Sequence, residues 1–170
     1  FYDCPVIMPY YGGKFRLSTK LEPMLAAHDR YFEVFAGGLS MFFRKKKSKF
    51  SVINDIDNDI VNLYTCVNKE FKKLIDTLYW VPKSRTLFND AKQEVFSTKE
   101  IEIPDVERAA KYFYLIRNAF NKIPYGSFSK VAMWDTTEII ENLKYSRTFF
   151  DETTIENLDF RNLIISYKPK

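Results

Sequence analysis

The 170 residues fit one domain, or one domain carrying an insertion. Apolar residues make up 46% and charged residues 28%, enough to bury a core and unlike a disordered chain. No apolar run approaches the roughly 20 residues of a membrane helix, and two cysteines, Cys4 and Cys66, make neither a disulfide framework nor a metal site.

The N-terminus, Phe1-Tyr2-Asp3-Cys4, has neither an initiator methionine nor a signal-peptide pattern, and it reads as the edge of a longer polypeptide. Charge is uneven along the chain. Residues 1 to 85 carry 14 basic against 9 acidic residues, and the remainder 12 against 13. Much of the excess is the run Arg44-Lys45-Lys46-Lys47-Ser48-Lys49, which reads either as a solvated helix end and loop or as a phosphate contact.

The first 65 residues alternate helix and strand. Lys14 to about His28 has helical spacing, with Leu17, Leu21, Met24 and Leu25 on one face. Tyr31 to Phe35 reads as a short strand running into Ala36-Gly37-Gly38, and Leu39 to Arg44 as a helix. Ser51 to Asn54 is a second strand, ending in the acidic turn Asp55-Ile56-Asp57, from which a third helix runs to about Val67. From about Asn68 to Tyr145 helical patterns dominate: Glu70 to Tyr79, Leu87 to Glu94 and Val106 to Phe120, punctuated by Pro82, Pro104 and Pro124. Asp135-Thr136-Thr137-Glu138 has the spacing of a capping box and predicts a helix to about Tyr145. Arg147 to Phe150 and Thr154 to Asn157 read as short strands, and Asp159 opens a last helix to about Tyr167.

Strand, glycine turn, helix, strand ending in an acid is the order of a nucleotide-binding α/β unit. Glycines admit close approach of a cofactor to the backbone, and the helix N-terminus offers N–H groups. Asp55, 18 residues beyond Gly37, stands where a carboxylate can accept from both hydroxyls of a ribose. The absence of a G-x-G-x-x-G run favours a cofactor with a ribose and no pyrophosphate. Glu33 reads either as a partner for a cofactor ammonium or as a surface carboxylate.

Five segments resemble, in order and spacing, the Dam-type DNA adenine-N6 methyltransferases that modify GATC-type sites. Pro9-Tyr10-Tyr11-Gly12-Gly13-Lys14 is similar to their x-W-x-G-G-K, and Glu33 to Phe42 to their E-P-F-x-G-G-G-x-V-F loop. Asn54 to Tyr64 is similar to their acidic turn, Tyr112 to Asn121 to their F-L-Y-L-N-R-x-x-Y-N-G stretch, and Ile155 to Phe160 to their N-x-D-F element. Departures are Tyr10 for tryptophan, Val34 for proline and Leu39 for the last glycine, with Ala119 and Lys122 where the fourth segment has glycines.

The resemblance implies a Rossmann-like α/β methyltransferase core, incomplete over 1–67 and 146–170, with a helical target-recognition insertion over 68–145. It implies S-adenosyl-L-methionine as cofactor, with no metal. Tyr10, Gly12, Gly13, Phe35, Gly37 and Gly38 then line the cofactor pocket, Glu33 faces the ammonium, and Lys14 faces an anionic part of cofactor or DNA. Asp55 then holds the ribose, and Asp159 reaches the adenine amino group beside Phe160, unless Asp159 serves only as a helix cap. Double-stranded DNA is the implied partner, with a restriction endonuclease as a possible second one, in a prokaryotic or phage-type cytoplasm. Arg117, Asn121, Lys122, Tyr125, Phe128 and Lys130 mix basic, polar and aromatic groups suited to backbone contact and base stacking, or form an ordinary loop with buried aromatics. The family's catalytic Asp-Pro-Pro-Tyr does not occur in the sequence. Its expected position follows the N-x-D-F element, so the chain reads as ending just before it. The competing expectation is a non-catalytic DNA-binding or regulatory module of the same ancestry.

Overall fold

A computed structural model of the chain describes residues 7–97 and 100–168; Cys4 lies outside them. Three short strands form one parallel sheet: β1 (Arg30–Glu33), β2 (Phe50–Asn54) and β3 (Thr153–Glu156), with β2 in the middle. Register runs Phe32 to Val52 on one side and Val52 to Thr154 on the other. The central strand is buried from Ser51 to Asn54, as expected of a parallel strand covered on its faces.

Between β1 and β2 lies the short helix α2 (Ser40–Arg44); between β2 and β3 the described residues form five α-helices and a 3₁₀ turn at Phe120–Lys122. The five are α3 (Asn58–Lys69), α4 (Phe71–Tyr79), α5 (Arg85–Ser97), α6 (Val106–Asn118) and α7 (Thr136–Arg147). Helix α1 (Phe15–Leu21) precedes the sheet and α8 (Phe160–Ser166) follows it. Asp57 caps α3 and Asp135 caps α7, the latter accepting from the N–H groups of Thr137 and Glu138 as the capping-box spacing predicts. Among the described residues no helix is long and apolar enough to cross a membrane.

Helix α3 is the keystone of the packing. Every residue from Ile60 to Val67 is buried, because α3 lies between β3 and α6. Buried Asn62 joins α3 to the start of α6: its amide donates to the Asp105 carbonyl at 2.8 Å and its oxygen accepts from Asp105 N–H at 2.7 Å. One turn on, Cys66 is fully buried and burial pushes its thiol up to about 12. Arg108 makes the third tie, donating to both Asp59 carboxylate oxygens at 2.6 and 3.1 Å and to the Val95 carbonyl at 2.8 Å.

Four expectations change. The helix from Lys14 stops at Leu21 and passes into a single 3₁₀ turn around Pro23, so Leu17, Met24 and Leu25 stay exposed and Ser18 is the buried residue of α1. Strand β1 ends at Glu33, where the chain turns off the sheet and leaves Phe35 exposed. Helix α6 ends at Asn118, not Phe120. Arg147 to Phe150 is no strand: Thr148, Phe149 and Phe150 each donate a backbone N–H three residues back, so the end of α7 winds on in turns. Phe149 and Phe150 thereby reach Phe42 and Phe43 in the core.

The Arg108–Asp59 pair is 11% and 13% exposed, so removing one partner strands the other. Arg108→Met is expected to lower stability in urea denaturation by about 3 kcal/mol. Lys72→Met, which removes the solvent-facing pair with Asp76, is expected to cost under about 1 kcal/mol.

Candidate functional site

All three strands end at one buried side chain. Asn54, last residue of β2, donates from Nδ2 to the Val34 carbonyl and to the Leu158 carbonyl, both at 3.0 Å. Its Oδ1 accepts from Leu158 N–H at 2.9 Å, and its carbonyl accepts from Ala36 N–H at 2.8 Å. One amide thus fixes the segments leaving β1 and β3 against β2. Asp55 follows at once, and its carboxylate is aimed by two backbone donors: Gly37 N–H on Oδ2 at 2.9 Å and Asp57 N–H on Oδ1 at 3.1 Å.

At this end of the sheet lies a cleft of about 330 Å³, lined by Tyr10, Gly12, Gly13, Lys14, Glu33, Phe35, Gly37, Gly38 and Asp55 together with Tyr11 and residues 36 and 39–41. Nine residues expected from the sequence to share a pocket therefore do so. The wall from Tyr10 to Gly13 is a turn closed by Gly13 N–H on the Tyr10 carbonyl at 2.8 Å. Gly38 is there because of contact: a Cβ would stand 3.1 Å from the Met8 carbonyl and 3.2 Å from Cβ of Tyr10. Gly37 takes φ of +44°, a region that favours glycine, and its added Cβ would meet the Tyr10 ring. Tyr64, buried on α3, donates to the Gly37 carbonyl at 2.5 Å and holds the turn from below.

Glu33 is more than a surface carboxylate. Its Oε2 accepts from Tyr31 hydroxyl at 2.7 Å and from Phe42 N–H at 3.0 Å, so it caps α2 from the neighbouring strand. That N–H, expected to be free for a ligand, is already satisfied. Glu33 Oε1 has no partner among the described residues. Burial raises the Glu33 carboxyl above its ordinary range, against the pull of its two donors and the charges of Lys45 and Lys14. The exposed Lys14 ammonium and the Glu33 carboxylate thus share one cleft with the Asp55 carboxylate.

Asp159 and Phe160 do not line the cleft. Asp159 accepts from Arg161 N–H at 2.9 Å as the cap of α8. Phe160 reaches the rim through Phe35, ring centroids 5.8 Å apart.

Beyond α6 the chain forms a hairpin where the sequence pattern predicts a loop. Ser129 N–H donates to the Asn118 carbonyl and Phe120 N–H to the Ser127 carbonyl, both at 2.8 Å, around an antiparallel bridge between Ala119 and Phe128. Asn121 and Lys122 take φ of +54° and +59° at its tip. Lysines hold it from its flanks: Lys83 Nζ donates to the carbonyls of Lys130 and Ala132 at 2.8 and 2.5 Å, and Lys92 Nζ to that of Gly126 at 2.9 Å. Asn121, Tyr125 and Lys130 are exposed as expected, and so is Phe120. Arg117 and Lys122 are half-buried instead: burial lowers the pKa of each, and the Lys122 ammonium donates to the Arg117 carbonyl at 2.8 Å. Phe128 is also half-buried, between Lys83 and Arg85.

The basic run lies at the opposite end of the sheet, before β2. Lys45 is buried over the Tyr31 ring, while Lys47 and Lys49 face Asp151 and Asp29 at 3.7 and 3.0 Å. Among the described residues no group of three or more His, Cys, Asp or Glu side chains is arranged to hold a metal ion.

Sequence reasoning passed over Asn54, Tyr64 and Tyr31, whose signal is only a polar residue inside an apolar run. Asn54→Ala leaves two carbonyls and one N–H unpaired and is expected to cost about 2–4 kcal/mol in denaturant unfolding, several times a surface Asn→Ala.

The model of the D12 class N6 adenine-specific DNA methyltransferases matches residues 10–170. Over 146 residues the chain is 27% identical to the type II methyltransferase M1.LlaDCHI of Lactococcus lactis subsp. cremoris, covering 78% of this chain and 51% of that protein. It is 22% identical over 167 residues to the type II methyltransferase M.MjaIII of Methanocaldococcus jannaschii, covering 78% and 58%. It is 27% identical over 136 residues to a DNA adenine methylase of Serratia marcescens, covering 70% and 48%. The chain thus spans about half the length of the curated relatives it matches. With a family match over almost its whole length, the chain belongs to the D12 class of N6 adenine-specific DNA methyltransferases.

Proposed function

We propose that this chain carries the cofactor-binding and target-contacting parts of an S-adenosylmethionine-dependent DNA adenine-N6 methyltransferase. In this reading residues 1–67 and 146–170 belong to a Rossmann-like core, and 68–145 form a helical insertion facing DNA. The observation that carries it is the cleft, where an unpaired Glu33 oxygen, the Lys14 ammonium and the backbone-aimed Asp55 carboxylate stand around the Gly37–Gly38 turn. That donor set fits an amino-acid head group at one end and a ribose at the other. S-adenosylmethionine supplies an activated sulfonium methyl. Glu33 Oε1 accepts from the ammonium of the head group, Lys14 pairs with its carboxylate, and Asp55 accepts from the ribose hydroxyls. Phe35, with Phe160 beside it, offers an aromatic wall for the adenine ring, and Asp159 is the nearby acceptor for its amino group.

On the DNA side, the hairpin offers Asn121, Tyr125 and Lys130, with a side chain for a base edge, one for stacking and one for a phosphate. Nitrogen attack on a methyl needs acceptors for the adenine N6 hydrogens and alignment of the two reactants. The Asp-Pro-Pro-Tyr that serves this in the family is absent from these residues. The chain alone is therefore expected to bind without methylating, and radiolabelled methyl transferred to DNA by it would refute this. A second reading, a DNA-binding module without cofactor, draws on the hairpin being held by Lys83 and Lys92 independently of the cleft. It predicts duplex binding with no cofactor affinity.

Calorimetric titration of sinefungin, a cofactor analogue, is expected to give binding by the chain and a loss of at least about tenfold in Asp55→Ala, which corresponds to about one hydrogen bond to a charged group. Glu33→Gln separates stability from function. A carboxyl with a raised folded pKa favours the fold most when protonated, and that contribution is lost as pH rises through the folded value. Glu33→Gln is therefore expected to unfold at an equal or higher temperature than the parent near pH 8, with the difference vanishing at pH about 4. Its sinefungin affinity is expected to fall. For DNA, Lys130→Ala is expected to lower duplex affinity across sequences and reduce the salt slope by about 1 in fluorescence anisotropy.

A further inference from the structure

Lys45 is the member of the basic run that turns inward, 4% exposed while Lys46, Lys47 and Lys49 face solvent. Its hydrogen-bond partners among the described residues are neutral: the Lys46 carbonyl at 3.1 Å and the Ser48 hydroxyl at 2.7 Å. A buried ammonium with neutral partners is costly, and an apolar side chain of similar length avoids that cost. What the cation meets there is the ring of Tyr31, over whose face its Nζ stands 4.3 Å from the centroid. The Tyr31 hydroxyl in turn donates to Glu33 Oε2 at 2.7 Å, and Phe42 N–H donates to the same oxygen at 3.0 Å. Tyr31 and Glu33 stand two residues apart on β1 and so share one side of the strand. Ammonium, phenol and carboxylate thus form a continuous row that ends in the cleft, with Glu33 Oε1 left open. A cation over the ring face draws electron density from the phenol and makes its hydroxyl a stronger donor.

We propose that Lys45 and Tyr31 are positioning residues for the cleft: they fix the Glu33 carboxylate by its Oε2 so that Oε1 is presented to the ammonium of the cofactor's head group. The proposal rests on the cleft being the S-adenosylmethionine site. Neither residue lines the cleft, and both act through Glu33. Burial works against a charged Glu33, and only the ionised carboxylate pairs with an ammonium. The Tyr31 hydroxyl, the Phe42 N–H and the charges of Lys45 and Lys14 oppose that pressure. The other titratable groups facing Glu33 are the enclosed Tyr64 phenol on α3 and, across the cleft, the Asp55 carboxylate. The row therefore sets how far pH can fall before the cleft stops holding an amino-acid head group.

The test is sinefungin calorimetry between about pH 5 and about pH 8 on the parent chain, Tyr31→Phe, Lys45→Met, the double variant and Glu33→Gln. Thermal unfolding at the same pH values shows that each is folded. Parental affinity is expected to fall as pH drops and Glu33 takes up a proton. Tyr31→Phe keeps the ring and removes the donor, so its affinity profile is expected to move up by about one pH unit. At the upper end of the range its affinity is expected to stay within about threefold of the parent. Lys45→Met is expected to move the profile the same way, and the double variant by less than the two shifts added, because the cation acts in part through the phenol. Glu33→Gln is expected to bind weakly and with no pH dependence over this range. A parental profile in Tyr31→Phe overturns the proposal. So does a loss that is equal at every pH, the mark of a merely structural role, or a pH dependence that survives in Glu33→Gln. A folded parent that binds no sinefungin overturns the cofactor reading and this inference with it. A binding parent whose profile Tyr31→Phe leaves unchanged overturns this inference alone.

Discussion

The arrangement depends on the Asn54 side chain. A three-stranded parallel sheet has no hairpins to fix where its strands stop, and each strand here is only four or five residues long. Burying one amide at the end of the middle strand, with both its oxygen and its nitrogen paired, sets the exit of all three chains at once. The Gly37 turn and the Asp55 carboxylate inherit their positions from that lock. A buried polar group is costly unless fully satisfied, and satisfied groups of this kind specify one arrangement over its near neighbours.

Beside that lock the cleft holds one carboxyl whose native environment works against its charge. Glu33 is pushed toward protonation by burial and spends one oxygen on the architecture, capping α2 and anchoring Tyr31, while the other oxygen stays open. The hairpin follows the opposite logic. Its backbone is fixed by cations that donate to carbonyls, so that Lys83, Lys92 and Lys122 are structural, and the exposed tip is left to neutral and aromatic groups with Lys130. Counting lysines in such a segment overstates the charge available to a phosphate backbone.

Much of this was legible in the sequence. Asp135 as a cap, the glycine turn and the acid after β2 all follow from local chemistry that acts within a few residues, and nine of the eleven residues that the motifs implied for the pocket line the cleft. What escaped was set by contacts distant in sequence. Nothing near Phe149 and Phe150 tells a strand from a turned helix end; their place is decided by Phe42 and Phe43, more than a hundred positions away. The Leu17–Met24 stripe has helical spacing, yet Leu17, Met24 and Leu25 stay exposed, because Pro23 ends the regular helix before the stripe is complete. The hairpin after Asn118 depends on two non-glycine residues with positive φ, Asn121, which tolerates that region, and Lys122, which sequence preferences argue against.

Cys66 gives the packing around α3 a built-in observer. Its thiol is fully enclosed and its ionisation is displaced to about 12, so in the closed fold it is shielded both from reagents and from forming the reactive thiolate. Alkylation at this sulfur therefore counts the moments when α3 parts from α6 and the sheet, and its rate reads the free energy of that opening without any label added to the protein.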